Sequence, residues 1–325
     1  LGGLSEKYYQ ISRITGNASI PAILVDSGNL LYKNSKSSTG SESADIIAEA
    51  IAAAYSVMEF DAVAVGSADL VGGLKLLRKS EKSGLPWTSA NLLDTVGAPL
   101  FAPYRTVQAG VHRIALVGLT DANTMTGTDY VINDPEQSLA ALLPELSKQA
   151  DIIVLLSPLS HNLNKSLAQR FPELDIIIGG DSSKGNLPAA QTGGGSISQT
   201  AGRGQYLGVL TINWNGLVWG EPSSASLARD KARLKSISGQ LNRLSASGSK
   251  TSPGYQKRMS QLQDEKNKLI EKISELENQV DKDAAPPEFN SYESAFVALH
   301  NSGRNDSQIN QIVNEAKKKI QALKK

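Results

Sequence analysis

Four short stretches place side chains capable of chemistry directly after an apolar run. They are Val25-Asp26-Ser27-Gly28-Asn29, Val65-Gly66-Ser67-Ala68-Asp69, Leu156-Ser157-Pro158 with His161 close behind, and Ile178-Gly179-Gly180-Asp181-Ser182-Ser183. In α/β proteins the turn beyond the carboxyl end of a strand is where ligands are held. Carboxylates, an imidazole and an amide converging there would make a divalent-metal site for hydrolysis. Asp26, Asp69, Asp181 and His161 could build such a cluster. Taken singly, the three acids read as solvated loop carboxylates and His161 as a surface histidine, which is the simpler reading. His112 and His300 fall on a strand edge and a helix end, with no constellation around them. Cysteine is absent, so there is no thiol nucleophile, disulfide or thiolate metal site. No Gly-x-Ser-x-Gly elbow is present. Gly193-Gly194-Gly195 and Gly202-Arg203-Gly204 do not link a strand to a helix as phosphate loops do, and read as turns between strands.

The elements that must position these turns alternate. Residues 1–65 read as a helix from Ser5, a buried strand over 21–26, a helix over 44–58 capped by Ser41 or Ser43, and a strand over 61–65. That order predicts a parallel α/β construction. A helix over 68–80 carries Leu70, Leu74 and Leu77. Then come an extended segment at 87–92, strands over 104–108 and 112–119, a helix over 137–149 and a strand over 151–156. A short helix over 164–170 and a strand over 174–178 follow. Antiparallel strands over 196–200 and 205–214 close the domain, with Trp214-Asn215-Gly216 as a hairpin turn.

After Pro222 the pattern changes. Leu227, Leu234, Ile237, Leu241 and Leu244 recur at helical spacing, and Ala246 to Gly254 reads as a turn. Met259, Leu262, Leu269, Ile273, Leu276 and Val280 follow a heptad, with Lys266 at the one polar position. Two such stripes predict an antiparallel coiled-coil hairpin and mark an interaction element. Pro286-Pro287 breaks it, and two further helices are expected over 289–300 and 306–323, docked on another surface. The expected domains are therefore 1–221, 222–285 and 286–325.

The chain has 325 residues, 40% apolar and 20% charged, an ordinary globular balance. No run of 18 apolar residues is present, so no membrane-spanning helix is expected. The first residue is Leu1, with no signal-peptide pattern after it, as in a processed or trimmed product. Residues 1–221 hold 15 Lys and Arg against 20 Asp and Glu, while residues 222–325 hold 18 against 12. The simpler reading of the basic tail is a solvated helical face; the sharper one is contact with an acidic partner or a membrane surface. No nucleic-acid motif is present.

Over about residues 1–220 the order of landmarks resembles the calcineurin-like metallophosphoesterases of the periplasmic 5′-nucleotidase type. Gly2-Gly3-Leu4, Leu24–Asn29, Phe60–Gly66, Ser89-Ala90-Asn91, Ile114–Leu119, Asp175–Gly180 and Gly202–Gly208 carry the likeness. The resemblance implies a four-layer αββα sandwich and two divalent metals clamping a phosphate and activating water. It also implies the site positions, and there this chain departs. Asn29 stands where the bridging Asp would be, and Ser67 where the amide ligand would be. Ala68 replaces the catalytic His and Val71 its carboxylate partner. Pro158 replaces a ligand His, and Asp181 and Ser183 hold two further ligand positions. Asp181 is the one plausible ligand left.

The expectation is an inactive metallophosphoesterase-like scaffold, without cofactor, joined to a helical element for protein interaction or self-association. Some relatives are joined to multihaem cytochrome modules through a similar segment, which makes such a cytochrome a candidate partner; no haem attachment motif is present here. A periplasmic or extracellular location follows from the resemblance, with any anchor upstream of Leu1. The alternatives are an active phosphoesterase or 5′-nucleotidase with an altered metal pair, and a binder of a nucleotide-like ligand.

Overall fold

The structure, a computed structural model, describes residues 3–16, 18–33, 41–121, 129–202, 204–216, 219, 223–246, 253–280, 289–299 and 307–323. The chain divides into two compact units, Leu1–Thr211 with Glu293–Lys325, and Ile212–Tyr292.

The first unit opens with α1 (Leu4–Gly16), β1 (Val25–Asp26), α2 (Glu42–Val57) and β2 (Ala62–Ala64). A 3-10 turn (Ser67–Gly72) leads into α3 (Leu74–Lys82), β3 (Trp87–Thr88) and β4 (Leu92–Leu93). β5 (Tyr104–Ala109), β6 (His112–Gly118), β7 (Val131–Ile132), α4 (Pro135–Leu146) and β8 (Ile152–Ser157) follow. Then come α5 (His161–Arg170), β9 (Ile176–Gly179), β10 (Leu187–Thr192), β11 (Gly195–Gln199) and β12 (Tyr206–Asn213). The long helices α6 (Ser223–Ala246) and α7 (Pro253–Val280) come next, then β13 (Ser291–Ala298) and α8 (Ser307–Ala322).

Two sheets stack at the centre. One is parallel, ordered β1-β2-β3; the other has six strands, ordered β10-β11-β9-β8-β6-β5. Its central strands β6, β8, β9 and β11 are parallel, and β5 and β10 are antiparallel edges. Side chains alternate across a strand, and the cores follow that alternation. Val63 and Val65 enter one core with α1, α2, α3 and α8, while the smaller Ala62 and Ala64 occupy the opposite face of β2. Ala115 and Val117 of β6 enter a second core with α4 and α5, while Ile114 and Leu116 lie on the other face. The result is four layers: helices, sheet, sheet, helices.

Caps fix where helices start. Ser41 accepts from the Ala44 N–H, Asp134 from Gln137 and Ser160 from Leu163, each ahead of a helix whose first N–H groups lack a partner. Asp134 with Pro135 starts α4 two residues before the sequence pattern, and Ser160 starts α5 three before it.

Several expectations are corrected. The helix expected over 68–80 is two pieces, because Gly73 sits at φ 73° and interrupts it. The strand expected over 196–200 runs parallel to β9 and pairs with β10 through the Gly193-Gly194 turn, not with β12. β12 pairs with β13, so Trp214-Asn215-Gly216 closes no hairpin. The helix expected over 289–300 is β13: Tyr292, Phe296 and Val297 suit a strand, and β12 offers an edge that local periodicity cannot reveal. The last helix, α8, forms and docks on its own unit. Ile309 and Val313 enter the core of α1 and α2, and the Ser5 hydroxyl donates to Asn310 Oδ1 at 2.8 Å.

In the second unit α6 and α7 pack along Ile237, Leu241, Leu262 and Leu269, with Leu234, Leu244 and Met259 at the margin. Asp230 meets Lys272, Lys231 meets Glu277 and Arg233 meets Glu265. Arg258 donates to Gln240. Numbers rise on one helix as they fall on the other, so the pair is antiparallel. Ile273 is buried and Leu276 half-buried; the side chain of Val280 lies outside the described residues. No described helix is long and apolar enough to cross a membrane.

Candidate functional site

The turns that follow β1, β2, β6, β8 and β9 meet at one edge of the two sheets. Asn29, beyond β1, takes the left-handed conformation at φ 58°, which Asn tolerates better than most residues. Its Oδ1 accepts from the Ala68 N–H at 2.9 Å, tying the first turn to the second. Gly66 makes that approach possible, since a Cβ there would lie 2.3 Å from Asn29 Oδ1. The Ser67 N–H and hydroxyl both donate to Asp121, at 2.7 and 2.6 Å, tying the second turn to the end of β6. Ser27 donates to the Gly179 carbonyl at 3.3 Å, tying the first turn to that after β9. Gly180 donates to the Ser157 carbonyl at 2.8 Å, and a Cβ on it would lie 2.7 Å from Ser27 Oγ and 3.3 Å from Pro158 Cα.

Asp69 holds the first two turns in register. It is fully buried, and its carboxylate accepts from the Asn29 and Gly66 N–H groups at 2.8 Å each and from Leu31 at 2.7 Å. Burial pushes this carboxyl up to about 7, against the downward pull of those three N–H donors and with a further upward push from Asp26. Asp26 is engaged elsewhere: it caps the Gly28 N–H at 3.0 Å and accepts from the Tyr55 hydroxyl at 3.1 Å. Lys7, itself buried, donates to Tyr55 and lies 4.0 Å from Asp26. Burial lowers the Lys7 ammonium, and Asp26 partly restores it.

Asp181 is spent on its own turn. One oxygen accepts from the His161 N–H at 2.9 Å, and the other takes the Ser183 N–H and hydroxyl at 2.9 and 2.7 Å. Partial burial pushes its carboxyl up, but these hydrogen bonds and nearby Lys184 outweigh that and leave it lowered. His161 takes part through its backbone; its Nδ1 is buried without a hydrogen-bond partner. Ser157 donates to Asn164 Oδ1 at 2.6 Å. Val71 packs against the first core.

A divalent pair needs carboxylate, imidazole and amide donors aimed at shared points. Here Pro158 and Ala68 have no side-chain donor, and Asn29 and Ser67 are turned to Ala68 and Asp121. Asp69, Asp121 and Asp181 each point their oxygens at hydrogen-bond donors of the protein. Among the described residues no three His, Asp or Glu side chains form a group that could hold a metal. The described residues do not fit the metal pair. A cavity of about 340 Å³ beside the start of α4 is lined by Ala90, Pro103, Asn133, Gln137, Ser138, Ala141 and Leu142, with no carboxylate, imidazole or amine among them.

Asp121 was not legible in the sequence as a site residue. Its signal is its position two residues beyond Leu119, at the end of an apolar strand, as for the other turns. Asp69 carried that signal too, but its role as an internal acceptor needs both turns in view.

No family model matches the sequence, and no curated protein does. Solved structures do match. The Thermus thermophilus sulfate thiohydrolase SoxB aligns with a TM-score of 0.57 and 19% identity, over 67% of this chain and 41% of that one. A 5′-nucleotidase precursor, also from Thermus thermophilus, aligns with a TM-score of 0.54 and 22% identity, over 66% and 46%. The Haemophilus influenzae NAD nucleotidase aligns with a TM-score of 0.52 and 18% identity, over 64% and 41%. The fold of the first unit is thus the 5′-nucleotidase-like metallophosphoesterase fold. The chain spans less than half the length of these structures.

Proposed function

We propose that this chain, built on the fold of those hydrolases, is a non-catalytic scaffold that serves protein interaction through the α6–α7 hairpin. One observation carries the reading: the turns still converge, but the side chains there are spent on one another. The positions expected to bridge or ligate cations hold Asn29, Ser67 and Pro158, and the expected catalytic position holds Ala68. The carboxylates that remain, Asp121 and Asp181, would repel a phosphate rather than clamp it, which also disfavours a nucleotide-like ligand. The hairpin supplies the second half of the reading. In the chain it lies between β12 and β13, two strands that pair with one another. A multihaem cytochrome and a second copy of the chain are the two partners to test first, and the assigned location is the periplasm or the cell exterior.

The test is turnover. Purified protein is assayed on 5′-AMP and on an aryl phosphate with added manganese. The expected result is a rate equal to the protein-free blank, before and after metal loading. Hydrolysis that scales with protein concentration and is lost with EDTA would overturn the scaffold reading in favour of an altered phosphoesterase.

A further inference from the structure

The hairpin is charged unevenly along its length. In the half where α6 begins and α7 ends, cations and carboxylates pair across the helices: Lys231 with Glu277 at 2.8 Å, Lys272 with Asp230 at 2.8 Å, and Arg233 with Glu265. In the half where α6 ends and α7 begins, the pattern stops. From residue 234 to residue 263 the sequence has Lys235, Arg243, Lys250, Lys257 and Arg258 and no Asp or Glu. Lys235, Arg243, Lys257 and Arg258 are exposed. Arg258 donates to Gln240 across the pair, and Arg243 donates to the Gly239 carbonyl.

The apolar residues offer a partner little. Ile237, Leu241, Leu262 and Leu269 are consumed by the contact between α6 and α7. The one large apolar side chain exposed on the described hairpin is Ile270, in the opposite half. An element with no free apolar stripe recognises a partner through charge, which sets orientation and association rate. Each guanidinium favours a planar carboxylate, which it can bind through two parallel hydrogen bonds. A single nucleic-acid strand would call for stacking aromatics, and Tyr255 is the only aromatic residue between 223 and 280. A bilayer would call for apolar side chains beside the cations to enter it, and none is exposed among the described residues of this half.

We propose that the hairpin engages its partner through the half where α6 ends and α7 begins, and that the partner surface is a carboxylate-rich protein segment. This rests on the reading of the hairpin as the interaction element. The probe is a fluorescent poly-glutamate peptide, titrated with the full chain at low salt. Anionic vesicles of phosphatidylglycerol and duplex DNA are titrated in parallel. Three proteins are compared: the native chain, Lys235→Gln with Arg243→Gln, Lys257→Gln and Arg258→Gln, and the control Lys266→Gln with Lys268→Gln. Circular dichroism of each verifies that the helices are intact. The expected result is peptide binding that weakens about tenfold in the fourfold variant, is unchanged in the control and fades as salt rises through the screening range. Equal binding by native and fourfold proteins overturns the proposal. Tighter binding to vesicles or DNA than to the peptide, through the same four residues, also overturns it. A seam variant, Leu269→Asp with Ile273→Asp, separates the two levels. If it loses peptide binding while the fourfold variant keeps it, the hairpin remains the interaction element and the charge proposal falls. If neither loses binding, both fall.

Discussion

Replacing Asp69 by Ala leaves the Asn29, Leu31 and Gly66 N–H groups without an acceptor in a fully buried position. Each orphaned donor is worth about 1–3 kcal/mol, roughly 6 kcal/mol for three. Against this stands the penalty of burying the charge. The carboxyl is raised from 3.8 to about 7, a shift worth ~4 kcal/mol when the group is ionised. Alanine removes that penalty. Because the folded-state value lies above the unfolded one, the native group contributes most stability below pH 3.8, and that contribution is lost as pH rises through about 7. At pH 8 the loss in the variant should therefore be ~2 kcal/mol, and at pH 5, where most of the penalty is absent, ~4 kcal/mol. Urea unfolding of both proteins at the two pH values measures this. A variant within about 0.5 kcal/mol of native at both pH values, or a larger loss at pH 8 than at pH 5, refutes the reasoning.

Three further perturbations follow. Gly118→Ala should destabilise by at least ~3 kcal/mol or prevent folding, since its Cβ would lie 2.1 Å from the Thr88 carbonyl oxygen where the two sheets touch; thermal unfolding is the readout. Ile309→Ala with Val313→Ala should free α8 from the first core, and trypsin should then cut at Lys317, Lys318 or Lys319 faster than in the native chain while the rest of the unit resists. Leu269→Asp with Ile273→Asp buries two carboxylates in the hairpin seam and should melt α6 and α7, with urea unfolding of the first unit unchanged.

The fold of the first unit was legible because its strands are written as apolar runs ending in Gly turns: Ile152–Leu156 and Ile176–Ile178 could hardly be anything but buried parallel strands. Helix starts were less so, since Asp134 and Ser160 cap ahead of the apolar pattern that marks α4 and α5. Strand partners late in the chain were least legible. Whether Ser196–Gln199 pairs with β9 or β12, and whether Tyr292–Ala298 is strand or helix, depends on a partner distant in sequence. In the site, the residue types at Asn29, Ser67, Ala68 and Pro158 could be read directly. The hydrogen bonds that tie these turns together could not. The Ser67–Asp121 pair spans 54 positions and the Asn29–Asp69 bond spans 40, and neither has a local signature.

The most direct measurement of the central claim is anomalous diffraction at the manganese edge from crystals soaked in manganese. The expected result is no anomalous peak among Asn29, Ser67, Pro158 and Asp181. Two peaks there, about 3.5–4 Å apart as in catalytic metal pairs, would contradict it.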